Sequence, residues 1–189
     1  MTQNNQLKKF LALISISAFA LLLAGCEKKE EDNTNELLLV GLAAAVNMPG
    51  DCRIAAGSRT LNTFTTEFTG TSGRISRTGS IPFTTHQTAA LKLPGRTAGS
   101  SIRLSGGKAF LIAYRADACP VTADQAVTAS TTPSVTFTNA TSSDSQFRNS
   151  YEITTDPATI TFPTAGNYFI LIYAIPERGQ SALLTYGIP

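Results

Sequence analysis

The chain has little with which to perform acid–base or metal chemistry. Among its 189 residues there is no Trp, one His (His86), two Met and three Cys, and only 15% are charged. One imidazole and three widely spaced thiols do not make a zinc ligand set. No HExxH, Walker loop or dinucleotide fingerprint occurs, and Gly70-Thr71-Ser72-Gly73 has the wrong spacing for a G-x-S-x-G nucleophile elbow. Asp144, within TSSDSQ, lacks the dense Asp/Asn spacing of a calcium loop. No metal and no cofactor is expected. His86, alone among Thr84, Thr85 and Gln87, reads as a surface or strand residue. Acids are sparse after the first third: Glu67, Asp117, Asp124, Asp144, Glu152, Asp156 and Glu177. A glycosidase would need two of them to converge on one cleft. The low charge argues against a disordered chain or a coiled coil, and a net charge of +2 is too small for a nucleic-acid binder. No nucleic-acid partner is expected.

What the chain does have begins at its N-terminus. Met1–Phe10 is polar and carries Lys8 and Lys9, and Leu11–Leu23 is a run of 13 apolar and small residues. A basic head and a short apolar body are the layout of a secretory signal peptide, and the body falls short of the roughly 20 residues of a membrane span. It ends in Leu23-Ala24-Gly25-Cys26, which resembles the bacterial lipobox. That resemblance implies a type II signal peptide over residues 1–25, cleavage between Gly25 and Cys26, and acyl chains on Cys26 as the membrane attachment. The alternative is a soluble export signal with an incidental Cys. Two or three acyl chains hold a protein firmly at about 0.8 kcal/mol per buried CH₂, so the mature chain would be tethered without spanning. The lipid anchor places it in the cell envelope, at the outer membrane in preference to the inner, on either the surface or the periplasmic face. Removing the signal also removes Lys8 and Lys9, which brings the net charge to zero.

Cys52 and Cys119 remain. Export puts them where disulfides persist, and two thiols allow a single intramolecular pairing. Such a bridge closes a loop of 68 residues, which chain-entropy arguments value at about 4 kcal/mol. The alternative is a pair of buried free thiols.

Residues 26–36 comprise Cys26 and the charged stretch EKKEEDNTNE, which lacks apolar periodicity and reads as a flexible acidic tether. Leu37–Val46 (LLLVGLAAAV) is apolar all round. Asn33 and Glu36 have capping-box spacing and Pro49-Gly50 is a stop, so a short helix is expected within 37–50. It would pack on its own domain, or dock on the membrane or a partner.

Residues 51–189 read as a β domain. The whole chain holds 26 Thr and 16 Ser, and Thr favours pleated, half-buried surfaces. Candidate strands are Thr60–Phe68, Ala89–Leu93, Ser101–Leu104, Ala109–Arg115, Ala126–Ala129, Ser134–Thr138, Tyr151–Thr154, Thr159–Phe162, Tyr168–Ala174 and Ala182–Tyr186. Val135 and Phe137 alternate with Thr136 and Thr138, and Ile160 and Phe162 with Thr159 and Thr161, the pattern of a sheet with one wet face. Ala109–Tyr114 and Tyr168–Tyr173 are continuously apolar and should be central strands covered on both sides. No convincing helix follows residue 55, although Thr122–Val127 suits one turn after Pro120. The fold expected is mainly β: an antiparallel β-sandwich, jelly-roll or immunoglobulin-like, with one disulfide and the short N-terminal helix. The segment 160–173 reads as strand, Ala165-Gly166-Asn167 turn, strand, and is similar to the late hairpin of many extracellular β-sandwich modules.

The lipid signal, charged tether, Leu/Ala-rich segment ending near Gly50-Asp51-Cys52, and Thr/Ser-rich body together resemble small spirochaete surface lipoproteins, leptospiral ones in particular. The resemblance implies an adhesin for host matrix or plasma components. From the residues themselves, the domain after Leu37 has 11 basic and 8 acidic side chains. Arg74 and Arg77 fall in a loop-like stretch and form a candidate patch for an acidic polysaccharide or an acidic surface of a host or envelope protein. Scattered solubilising charge is the plainer reading. The function expected is a non-catalytic surface or periplasmic binding module. The alternatives are a structural envelope protein that binds another membrane component, and a hydrolase with a cleft the sequence does not reveal.

Overall fold

In the computed structural model, residues 49–128 and 133–189 are described. The expected signal peptide, Gly25, the lipidated Cys26, the tether and the apolar helix, apart from Pro49 and Gly50, lie outside them. The described chain is mainly β, with two sheets and a separate hairpin.

The larger sheet has seven strands. Its order is β10 (Ala140–Ser142), β11 (Tyr151–Ile153), β8 (Phe110–Arg115), β13 (Gly166–Ala174), β6 (Gln87–Arg96) and β3 (Thr65–Glu67), with β5 (Gly79–Ser80) also paired to β6. All its pairings are antiparallel except β3 with β6. The second sheet is wholly antiparallel: β4 (Ser72–Arg74), β14 (Thr185–Gly187), β7 (Ser101–Ser105), β12 (Ala158–Thr161) and β9 (Thr136–Thr138). The hairpin is β1 (Cys52–Ala56) and β2 (Arg59–Thr63).

The two continuously apolar runs are β8 and β13, paired with each other in the middle of the larger sheet. Successive side chains of a strand point to opposite faces. Leu111, Ala113, Ile170 and Ile172 therefore enter one core, together with Ile102, Leu104 and Ile160 from the five-stranded sheet. Phe110, Ile112, Tyr114, Phe169 and Leu171 enter a second core on the other face. That second core is closed by Cys52, Ile54 and Leu61 of the hairpin, with Val121, Phe147 and Ile175. Each fully buried Leu, Ile or Phe contributes about 1.5–3 kcal/mol relative to exposure, so both faces of the central strands need their cover.

The sequence reading missed the first strand of the hairpin and also the short strands β4, β5 and β10, the stretch 70–79 having been expected as a loop. Gly57, with φ +60°, and Ser58 make a two-residue turn between Ala56 and Arg59. Such turns demand positive φ at the first position, which Gly adopts without penalty. A disulfide and three hydrogen bonds hold the hairpin to β8 and to the segment that follows it. Cys52 and Cys119 form a disulfide with a Cα–Cα distance of 5.4 Å. Ala55 N–H donates to Val121 O at 2.9 Å, and Val121 N–H donates to Arg53 O at 2.8 Å. The Tyr114 hydroxyl donates to Ala55 O at 2.6 Å.

Several expectations need correction. The expected strand Thr60–Phe68 is two strands in different layers. It breaks at Phe64, where the chain leaves the hairpin and joins the larger sheet, Ala90 N–H donating to Phe64 O at 2.9 Å. Ala126 makes only an isolated bridge to Tyr114. The helical turn expected over 122–127 is a three-residue 3-10 turn, Ala123–Gln125, and a second such turn at Pro176–Arg178 was not foreseen. Segment 160–173 is no hairpin: β12 pairs with β7 and β9, whereas β13 pairs with β6 and β8. The chain crosses from one sheet to the other between them. Phe162 is fully buried at the crossing, its ring 4.6 Å from that of Tyr168. The Tyr168 hydroxyl donates back to Thr164 O at 2.8 Å, fixing the corner.

Because the bridge closes most of the way from the hairpin to the segment after β8, the Cys52→Ser/Cys119→Ser double variant should lose about 4 kcal/mol of stability in urea unfolding. A loss below about 1 kcal/mol would show that hairpin packing alone sets the clamp.

Candidate functional site

The acids that the sequence offered as catalytic candidates are each engaged in local bonding. Glu67 pairs with Lys92 at 3.0 Å. Asp117 accepts from Asn167 Nδ2 at 2.8 Å, and Asp144 from Asn149 N–H at 2.8 Å. Glu152 accepts from Gln180 Nε2, Asp156 from Gly106 N–H, and Glu177 from the Thr85 hydroxyl. A hydrogen bond from the Thr122 side chain, helped by the Asp124 backbone, lowers the Asp124 pKa from its ordinary value. His86 is half-buried, and its Nδ1 is hydrogen-bonded to the Tyr173 hydroxyl. Among the described residues, no three His, Cys, Asp or Glu form a group suited to a metal.

The arginines are distributed differently. Arg77 is exposed, with its guanidinium 3.8 Å above the Phe64 ring, and Arg96 lies over Phe68 while donating to Pro94 O. Arg115 donates to Ala165 O. Among the described residues, Arg59, Arg74, Arg103 and Arg148 have no side-chain hydrogen bond or ion pair, and all four are exposed. Arg74 and Arg77, expected as one patch, have different surroundings. Arg77 sits on an aromatic ring, whereas Arg74 stands on the outward face of β4 opposite Thr185.

That outward face of the five-stranded sheet carries Thr136, Thr138, Thr159, Thr161 and Thr185. Its central row runs Ser72, Gly187, Arg103, Thr159, Thr138 across five strands in register. Thr136 and Thr161 form the adjacent pair, and the hydroxyls of Thr161 and Ser101 are hydrogen-bonded at 2.7 Å. Tyr186, Leu104 and Ile160, the intervening residues, are buried. Alternation put the hydroxyls outside, as read from Thr136/Thr138 and Thr159/Thr161. It placed Arg103 beside them on β7, between Gly187 and Thr159.

A deeper feature lies on the other side of the larger sheet. A cleft of about 680 Å³ opens between the β1–β2 turn and the loop 146–149. Ile112 and Tyr114 of β8 and Phe147 line its apolar part, and Ser58, Arg59, Gln146, Arg148 and Asn149 its polar part. None of its lining residues is acidic. Both walls are fixed. The hairpin wall carries the disulfide and the Tyr114 hydrogen bond. The loop wall is closed on itself: Ser143 N–H donates to Ser150 O at 2.8 Å, and the Ser150 hydroxyl donates to Ser143 O. Asn149, at φ +63°, takes the left-handed conformation that Asn tolerates better than most residues. Phe147 anchors the loop edge-on against Tyr173, with centroids 4.8 Å apart. The volume lies within the roughly 300–1,000 Å³ of small-ligand clefts. The sequence hints available for it were the Gly57-Ser58 turn and the Asp144–Asn149 spacing, both short-range signals of loops.

No family model, curated protein or solved structure matches this chain.

Burial raises the pKa of Tyr114, and it also raises that of Tyr173 against the opposing charges of Arg59 and Arg178. The unfolded chain ionises its tyrosines near pH 10, while folded Tyr114 stays protonated. Its contribution to stability is therefore full below about pH 10 and is lost progressively above it. Tyr114→Phe should flatten that alkaline fall and cost about 1 kcal/mol at neutral pH through loss of the bond to Ala55. Urea midpoints measured from pH 7 to 11 check both; an unchanged alkaline slope in the variant would exclude Tyr114 as the source.

Proposed function

We propose that this protein is a bacterial envelope lipoprotein whose β domain is a non-catalytic binding module. Acyl chains on Cys26 hold it at the outer membrane, residues 27–36 give it reach, and the domain presents loops and a sheet face to its ligand. The ligand is an acidic polysaccharide or an acidic surface of a host or envelope protein, which makes the chain a candidate adhesin. The observation that carries this reading is the asymmetry of the charges. The domain's acids hold its loops, while Arg59, Arg74, Arg103 and Arg148 stand exposed with no hydrogen bond or ion pair among the described residues. Unpaired guanidiniums on a fixed scaffold suit carboxylate and sulfate groups, and binding residues are commonly borne on loops over such a scaffold.

The architecture is read as a β-sandwich of the jelly-roll or immunoglobulin-like kind. Two sheets share one core, and a tyrosine at the start of β13 hydrogen-bonds back across the sheet-to-sheet corner. Tyrosine corners of this form recur in immunoglobulin-like sandwiches. The hairpin adds a third layer to that plan.

The lipid anchor is tested by metabolic palmitate labelling in a bacterial host. The wild-type chain should be labelled and the Cys26→Ala chain should not. Cells displaying the wild-type chain should adhere to a host matrix surface better than cells carrying the Cys26→Ala chain. Continued labelling of that variant, or equal adhesion, would overturn the reading.

A further inference from the structure

We propose that the cleft between the β1–β2 turn and the 146–149 loop binds a carboxylated saccharide, with Arg59 and Arg148 holding the carboxylate. The inference rests on the binding-module reading above and adds the place and the ligand class.

The cleft selects its ligand by three features. The first is charge. Arg59 and Arg148 come from opposite walls, none of the lining residues is acidic, and neither guanidinium has a hydrogen bond or ion pair among the described residues. An anion gains two charge-assisted forks there without displacing an existing partner. The second is the surface behind the arginines. Ile112, Tyr114 and Phe147 line the cleft while being almost fully buried, so they provide a small apolar platform. A bare sulfate or phosphate would neither use that platform nor fill a cleft of about 680 Å³. The third is the set of free polar groups. The side chains of Ser58, Gln146 and Asn149 line the same cleft and have no hydrogen-bond partner among the described residues. Amides both donate and accept, which matches sugar hydroxyls. A fatty or aromatic acid would satisfy the arginines and the platform but leave these groups unused. A pyranose with a carboxylate uses all three, through its C–H face, its hydroxyls and its charge.

Rigidity favours the same conclusion. The disulfide and the Tyr114 bond set the position of Arg59's wall, and the Ser143–Ser150 and Asp144–Asn149 bonds set that of Arg148. A preformed cleft avoids much of the ordering cost of binding a flexible, polar ligand. A sialic acid terminus of a host glycan and a uronate within a polysaccharide offer the same chemistry, and the experiment separates them.

The full-length chain in detergent micelles is titrated calorimetrically with 3′-sialyllactose, with a hyaluronan tetrasaccharide, and with lactose as the neutral control. At least one acidic saccharide should bind, with lactose at least about tenfold weaker. Arg59→Ala and Arg148→Ala should each weaken binding by about tenfold or more, with the Lys variants in between because they keep charge and lose the fork. Lys108→Ala, away from the cleft lining, should leave binding unchanged. Sialyllactose binding alone identifies a sialoglycan source, and hyaluronan binding alone a uronate source. Absence of binding by both at millimolar concentration, equal binding of lactose, or full binding by the double Arg→Ala variant would overturn the proposal. If those results accompany intact palmitate labelling and adhesion, the cleft assignment fails while the binding-module reading stands. Saccharide recovered cleaved would keep the site and overturn the non-catalytic reading.

Discussion

The structure turns on a pair of strands that must be buried on both faces. β8 and β13 carry apolar side chains at nearly every position, so neither face of the pair is suited to water. One face is covered by the five-stranded sheet, whose own inward residues supply the partner surface. The other is covered by smaller pieces: the β1–β2 hairpin, Val121 after the disulfide, Phe147 of the 143–150 loop and Ile175 after β13. A two-stranded hairpin is marginal alone. Here it is held by a covalent bridge, main-chain bonds to Val121 and the Tyr114 hydroxyl. The disulfide thus sits where the cover would otherwise be weakest.

The cleft between the hairpin and the 146–149 loop follows from that piecemeal cover. A sheet laid over the second face would have sealed it. A hairpin and a loop, joined to the core at different places, leave a gap over Ile112 and Tyr114. The gap inherits an apolar lining from the core and a polar rim from the turn and the loop. The opposite side of the molecule behaves differently. The five-stranded sheet faces outward with hydroxyls, Gly187 and the exposed Arg74 and Arg103. The proposed ligand site is therefore placed where the architecture is least regular.

Much of the β content was legible in sequence. The uninterrupted apolar runs identified β8 and β13, and Thr-x-Thr alternation identified β9 and β12 with the correct faces. The hairpin was overlooked because β1 is short and has one large apolar residue, Ile54, beside Cys52 and small alanines. Its turn residues, Gly57 and Ser58, were the usable signal. The supposed hairpin at 160–173 failed for a related reason. A strand, a Gly-containing turn and a strand give the same local pattern whether the second strand returns beside the first or crosses to another sheet. Phe162 and Tyr168 decide for crossing, since both bury their rings in the core shared by the two sheets. Arg74 and Arg77 looked like a unit because they are close in the chain, but a ring stack holds one while the other stays on an open sheet face.

Local pattern alone set the class of secondary structure, the identity of the two central strands and the outward placement of threonine on β9 and β12. Each depends on local periodicity or on a count, and the period of two along a strand is a property of the backbone alone. Long-range packing set which layer covers which face, closed the second face with a hairpin, and brought Arg59 and Arg148 to one cleft while the acids are bonded elsewhere. Those outcomes depend on contacts between segments far apart in the chain. Many arrangements satisfy the same local alternation, and the packing of both faces of β8 and β13 selects among them.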